Sequence, residues 1–83
     1  MNTQINAAQM KQGDVISFYG AEFTLGEVKS KNVGTEEEVY WAKGVCNNPP
    51  ENMLNDFYFY DKNTGKYTWQ FQGNSYRTMI KTN

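Results

Sequence analysis

The sequence contains no histidine and only one cysteine, Cys46, and these two scarcities exclude much of the chemistry of enzyme active sites. Protein zinc sites are built from Cys and His, and a nucleophilic Cys usually needs a histidine base. One cysteine cannot form an internal disulfide, which favours a reducing compartment. The seven glycines stand singly and form no phosphate-binding loop. We therefore predict a non-catalytic protein with no metal and no cofactor.

The chain also lacks a concentration of charge or of apolar residues. Its formal net charge is −1, so it has no basic footprint of the kind that duplex-DNA binders carry. No segment approaches the roughly 20 apolar residues that a membrane-spanning helix needs. We predict a soluble cytoplasmic protein that binds no membrane, and the net charge disfavours nucleic acid as a partner. The acidic run Glu36–Glu38 is interpreted as a solvated loop.

Leucine is scarce as well, whereas aromatic residues make up 16% of the chain. A core of rings and β-branched residues suits strands better than helices. Five or six short strands with tight turns predict an all-β fold, a small and strongly bent antiparallel barrel of the SH3-like or OB-like class. We expect one domain over residues 1–83, allow for flexibility in residues 1–9, and place one short helical turn near residues 48–54. The alternative is an open sheet packed against one helix.

Individual glycines predict where the strands turn or bend. Gly20-Ala21 is expected to form the two-residue turn of a hairpin, with glycine at the first position. Gly26 lies where the apolar parity of the returning strand changes, which predicts a β-bulge. In the third strand, Gly44 predicts either a second bulge or a place where an aromatic ring lies flat on the backbone.

Seven aromatic residues fall within residues 55–74. Alternation puts Tyr67, Trp69 and Phe71 on one face of a strand, which is predicted to face the core. The preceding strand is aromatic on both faces. With Phe57 and Phe59 in the core, Tyr58 and Tyr60 are expected to face outward.

The third strand presents a similar choice between its two faces. Trp41 shares a face with Val39 and Val45, which predicts a core position for its ring. Tyr40 lies on the opposite face and is the better surface candidate.

Tyr58 and Tyr60 are the predicted binding residues, with Tyr40, Lys62 and Arg77 as a rim. Tyrosine supplies a large contact area and a polar tip at low entropic cost, which favours a protein partner. Three alternatives remain open. The tyrosines are cross-strand partners that only stiffen the sheet, they stack on single-stranded nucleic acid or a nucleotide, or they meet a second copy in a homodimer.

Three segments, "MKQGDVISFYGAEFTLGEV", "WAKGVCNNP" and "WQFQGN", resemble stretches of small uncharacterised proteins encoded by tailed phages and prophages. Those proteins open with a Lys-x-Gly-Asp turn and carry a Trp-x-x-Gln-Gly-Asn element near the C-terminus. The most distinctive piece here is Gln72-Gly73-Asn74, which adds Gln72 and Asn74 to the candidate site. The resemblance implies a phage-type accessory protein that acts in the host cytoplasm by binding a host or defence component. It implies no mechanism.

Overall fold

In the computed structural model, which describes residues 2–47, 60–61 and 63–83, the chain forms an antiparallel sheet of seven strands. The strands are β1 (Thr3–Asn6), β2 (Val15–Phe18), β3 (Ala21–Lys31), β4 (Val39–Cys46), β5 (Tyr60–Asp61), β6 (Lys66–Gly73) and β7 (Thr78–Lys81). A single 3-10 turn, Ala7–Gln9, is the one helical element among the described residues. The prediction of an all-β antiparallel fold is confirmed. The helical turn expected near residues 48–54 lies outside the described residues.

The strands lie side by side in the order β1-β7-β2-β3-β4-β6-β5. Within the described part of the chain, β1 and β5 are not paired with each other, so the sheet has two ends and is not a closed barrel. It is nevertheless bent. Strands β2 and β6 are three positions apart, about 14 Å in a flat sheet, yet the ring centroids of Phe18 and Trp69 are 5.3 Å apart. Residues 74–77 alone connect β6 to β7, four positions away along the sheet.

The bend encloses a core on one face of the sheet. Phe23 is fully buried between the ring of Phe18, whose centroid is 6.2 Å away, and that of Phe71, at 5.5 Å. The predicted core face of β6 is confirmed, because Phe71 is buried and Tyr67 and Trp69 pack against the core. The buried apolar residues are Ile5, Ala7, Met10, Ile16, Ala21, Phe23, Leu25, Ala42 and Phe71.

Both glycine predictions inside the strands are confirmed. The register between β3 and β4 shifts between Leu25 and Val28, so Gly26 lies within the predicted bulge. At Gly44 the second alternative holds, because its pairing with β6 is continuous and the extra residue of the neighbouring bulge lies on β3. A Cβ at Gly44 would lie 2.8 Å from Cε2 of Phe71 and 3.0 Å from Cβ of Phe23. Only a residue without a side chain lets the ring of Phe71 approach the backbone this closely.

The N-terminal residues belong to the sheet. Strand β1 pairs with β7 from Thr3 opposite Lys81 to Asn6 opposite Thr78. The 3-10 turn that follows fully buries Ala7, whose N–H donates to the carbonyl oxygen of Arg77 at 2.9 Å. Residues 3–9 therefore hold the start of β7 in place.

The first hairpin turn differs from the prediction by one residue. Phe18 pairs with Ala21, so Tyr19 and Gly20 form the turn, and Ala21 is the first residue of β3. Both turn residues have positive φ, 50° at Tyr19 and 79° at Gly20, as type I′ hairpin turns require. The physical reason is burial: this register fully buries Ala21 and places Tyr19 in solvent.

The orientation predicted for β4 is wrong. Ala42 and Gly44 are buried, and Tyr40 and Cys46 pack against the core, so the even-numbered residues face inward. Trp41 and Val45 consequently lie on the outer face of the sheet. The small residues face inward because the rings of Phe23 and Phe71 fill the space above them.

Candidate aromatic binding surface

Tyr60 lies at one end of a row of aromatic side chains. It pairs with Tyr67 across β5 and β6, their ring centroids are 5.2 Å apart, and Tyr60 is 41% exposed. Paired residues in an antiparallel sheet point to the same face, so Tyr60 shares the face of Tyr67, Trp69 and Phe71. The prediction that Tyr60 faces away from the core side of the sheet is therefore wrong. It extends the core face at its edge, where one side of the ring meets solvent.

Tyr19 lies at the other end of the row, at the tip of the β2–β3 hairpin. Its side chain is 78% exposed, and its ring centroid is 4.5 Å from that of Phe18. Phe18 in turn contacts Trp69 on β6, with centroids 5.3 Å apart. The hairpin tip therefore reaches the face of β6 that also carries Tyr67.

We call this row the aromatic band and define it as Tyr19, Phe18, Trp69, Tyr67 and Tyr60. Its three middle rings are half-buried and pack against the core, so packing fixes their positions. Its two ends are exposed tyrosines. Such a row combines rigid apolar area with two polar tips, which suits recognition of another molecule.

The backbone at Tyr19 is costly for a tyrosine. Its φ of 50° is in the left-handed region, which favours Gly and Asn and is an outlier for a bulky residue. The contact with Phe18 offsets part of that cost, since aromatic pairs contribute about 0.5–1.5 kcal/mol. The sequence offered a signal for this residue, a tyrosine directly before a turn glycine, but the turn was expected one residue later.

The other predicted site residues do not gather around Tyr60. Asn74 and Arg77 lie in the β6–β7 turn, and Gln72 lies on the outer face near the end of β6. Gly73 lies six positions after Tyr67 on β6, about 20 Å along the strand. Because Tyr60 pairs with Tyr67, this group and Tyr60 are at opposite ends of β6. Tyr58 and Lys62 lie outside the described residues.

Tyr40 lies close to the β6–β7 turn, and an acidic residue holds this region together. The carboxylate of Glu38 accepts hydrogen bonds from the N–H groups of Ser75, at 3.3 Å, and Gly34, at 3.4 Å. Hydrogen bonds from the Ser75 hydroxyl, the Gly34 N–H and the Tyr40 hydroxyl hold the pKa of Glu38 below its ordinary value. Glu36 and Glu37 are exposed, as expected of a solvated loop. Glu38 differs from them because it fastens residues 32–38 to the turn.

A second aromatic feature, which sequence reasoning missed, occupies the outer face. Trp41 is half-buried there and lines a shallow groove with Glu27, Lys29, Lys43 and Gln70. The Lys43 ammonium lies 3.2 Å from the Asp61 carboxylate, so one of the two lysines already has an acidic partner. The charges around Trp41 are therefore balanced. The sequence signal was the alternation of small residues at Ala42, Gly44 and Cys46, which marks that face as the one under bulky rings.

Comparison with protein-family models, with curated proteins and with solved structures found no match. Among the described residues, no group of three or more His, Cys, Asp or Glu side chains is arranged to hold a metal ion. No helix in the described part of the chain is long and apolar enough to cross a membrane.

Proposed function

We propose that this chain is a non-catalytic binding module and that the aromatic band contacts a partner protein. The observation that carries the proposal is the placement of Tyr19. A tyrosine in left-handed backbone costs about 1–2 kcal/mol relative to an ordinary conformation, and Asn or Gly would form the same turn more cheaply. Its side chain is also largely in solvent. Strained residues that persist on a surface cluster at ligand contacts.

The chemistry of the band supports a protein partner. Tyrosine and tryptophan are enriched at protein–protein interfaces, because a ring buries a large area while a hydroxyl or an indole N–H still finds a hydrogen bond. Tyr19 and Tyr60 provide that combination at the two ends, and the half-buried rings between them lose little freedom when a partner binds. Tyr58 and Lys62, which adjoin β5 in sequence, belong to the same proposal.

We also propose that the bent sheet is a partly open barrel of the SH3-like class, in preference to the OB-like class. Strands β2, β3, β4 and β6 lie side by side in chain order, and the final strand, β7, returns to lie beside β2. The four-residue connection from β6 to β7 favours this arrangement, because a flat sheet would separate the two strands by about 19 Å.

The second candidate function is binding of single-stranded nucleic acid by the outer face. The Trp41 ring could stack on a nucleobase, and the side chains of Lys29 and Lys43, which line the same groove, are positively charged. Charge argues against it, because Glu27 lines the same groove and Lys43 is paired with Asp61. The third candidate function is homodimerisation through the exposed sheet edge at Tyr60.

The resemblance to phage and prophage accessory proteins suggests where such a module would work. On that view the partner is a host or defence protein and the site of action is the host cytoplasm. The resemblance implies no mechanism and gives no role to any residue of the aromatic band. The proposed contact surface therefore comes from the packing of this chain alone.

The proposal is tested by quantitative capture from host lysate with three tagged proteins. These are the wild type, the double variant Tyr19→Ser/Tyr60→Ser, and the control Val33→Ser, which removes a 59%-exposed apolar side chain in the loop before β4. We expect the wild type and the control to retain the same protein and the double variant to lose it at least tenfold. Equal retention by all three proteins refutes the aromatic band as the contact surface.

Two further measurements separate the alternatives. Light scattering coupled to size-exclusion chromatography on the same proteins detects a homodimer, which the double variant would convert to a monomer. A salt series detects nucleic acid, because its affinity falls steeply between about 50 and 200 mM salt. A protein partner held by aromatic contacts should depend only weakly on salt.

A further inference from the structure

The cleft between β6 and β7 differs in composition from three other depressions formed by the described residues. It is lined by Ser17 and Phe18 from β2, Phe71 and Gln72 from β6, Arg77 from the turn, and Thr78, Met79 and Ile80 from β7. This lining includes a cation and no carboxylate. Three other depressions each include at least one acid. Glu36 and Glu38 line the one beside the β6–β7 turn, Asp14 the one beside the 3-10 turn, and Glu27 the groove at Trp41.

Arg77 is held rigidly at the rim of this cleft. Its N–H donates to the carbonyl oxygen of Asn74 at 3.1 Å, and its own carbonyl oxygen accepts from the Ala7 N–H at 2.9 Å. The aliphatic part of the side chain lies against Gly73, where an added Cβ would come within 2.6 Å of Cβ and 2.8 Å of Cγ of Arg77. These contacts position the backbone and the stem of Arg77 at the rim of the cleft.

The guanidinium of Arg77 has no acidic partner among the described residues, since the ion pairs there join Lys43 to Asp61 and Lys81 to Asp14. Arginine is the side chain best suited to grip a carboxylate through two parallel hydrogen bonds.

The apolar part of the cleft has room for one side chain. Phe18, Phe71 and Met79 form the apolar lining of a cleft whose whole volume is about 170 Å³, and a protein cavity of about 150 Å³ is large enough to hold benzene. Phe18 also belongs to the aromatic band. A segment bound along the band therefore passes this cleft.

We infer that the cleft binds the C-terminal residue of the partner protein, with an apolar side chain among the rings and its α-carboxylate on Arg77. This inference rests on the proposed function and deepens it by naming the partner chemistry. A C-terminal apolar residue carries both groups on one Cα, so both fit a cleft of this size. An internal Asp or Glu would need a second residue to supply the apolar side chain.

The test is a titration of the ¹⁵N-labelled protein followed by NMR, at constant pH and ionic strength. The probe is N-acetyl-leucine, and the controls are N-acetyl-leucinamide, which lacks the carboxylate, and N-acetylglycine, which lacks the side chain. We expect a Kd on the order of 1 mM for the probe, with shifts at Gly73, Arg77 and Met79, and binding at least tenfold weaker for both controls. Equal binding of the leucinamide, or of the acetylglycine, overturns the inference.

The variant Arg77→Gln removes the charge and keeps the aliphatic stem, and its spectrum reports in the same experiment whether the fold is intact. We expect it to bind the probe at least tenfold more weakly, with Arg77→Lys in between because ammonium cannot form the two-pronged contact. Unchanged binding by Arg77→Gln refutes the inference. Because the capture experiment varies only Tyr19 and Tyr60, a failed titration beside a successful capture rejects the cleft and keeps the aromatic band.

Discussion

Replacing Gly44 by alanine tests the close contact on which the core depends. The added methyl group would lie 2.8 Å from Cε2 of Phe71, 3.2 Å from its Cδ2, and 3.0 Å from Cβ of Phe23. Ordinary carbon contacts begin near 3.5 Å, so the ring of Phe71 must move or the strands must separate. Overpacking of this kind costs about 1–3 kcal/mol. Alanine in a strand recovers about 0.5–1 kcal/mol of backbone entropy, which leaves a net loss of about 0.5–2 kcal/mol.

Such a loss is easily measured, because a domain of 83 residues has a total stability of about 4–12 kcal/mol. Urea unfolding followed by tryptophan fluorescence should show the midpoint of Gly44→Ala lowered by about 0.5–2 M, given a slope of about 1 kcal/mol/M for a small domain. In a Phe71→Leu background the penalty of the same substitution should shrink, giving a coupling energy of about 1 kcal/mol.

The matched control is Gly26→Ala, also a strand glycine. Its Cβ would meet only the carbonyl oxygen of Lys43 at 3.4 Å, so we expect a change within about 0.5 kcal/mol. The reasoning fails if Gly44→Ala is as stable as the wild type or more stable. That result would mean that the ring of Phe71 does not lie on the backbone of β4.

Three further predictions concern the polar contacts and the β6–β7 turn. Because the pKa of Glu38 is lowered in the folded state, its contribution to stability is present above the ordinary pKa of 4.5 and is lost as the pH falls through the folded-state pKa. The difference in unfolding free energy between wild type and Glu38→Gln should therefore shrink toward pH 3 in urea titrations. A difference that stays constant with pH contradicts this prediction. Asp61→Asn keeps an acceptor for the backbone and removes the charge facing Lys43, so it should lower the unfolding free energy slightly, and this effect should vanish in 1 M salt. A loss of stability that persists in high salt contradicts a role for the ion pair. Gly73→Ala forces the stem of Arg77 aside, so it should lower the unfolding free energy by about 1–2 kcal/mol and shift the NMR signals of Arg77. An unchanged urea midpoint argues against the contact.

Features set by neighbouring residues were predictable from the sequence. The core face of β6 follows from simple alternation, because Tyr67, Trp69 and Phe71 interleave with polar residues. The bulge at Gly26 follows from a change of parity around a glycine. In both cases the signal lies within one strand.

Features set by distant residues were only weakly predictable. Trp41 and Tyr40 are both aromatic, and the small residues at Ala42, Gly44 and Cys46 were the one signal within β4 for the face that lies under bulky rings. The decision comes from Phe71 on β6 and Phe23 on β3, whose rings need small residues opposite them on β4. The same holds for the candidate site, since no pattern in the sequence indicates that the bend brings Tyr19 and Phe18 onto the face of Trp69.

We propose that Tyr19 serves binding at some expense to folding, so one variant should show both a change in stability and a change in affinity. Tyr19→Asn suits the left-handed backbone at that position and removes the ring. For this variant we predict an unfolding free energy equal to that of the wild type or up to about 1 kcal/mol higher, together with an affinity for the captured partner at least tenfold lower. An affinity equal to that of the wild type, or a loss of stability that accounts for the loss of binding, would contradict the claim.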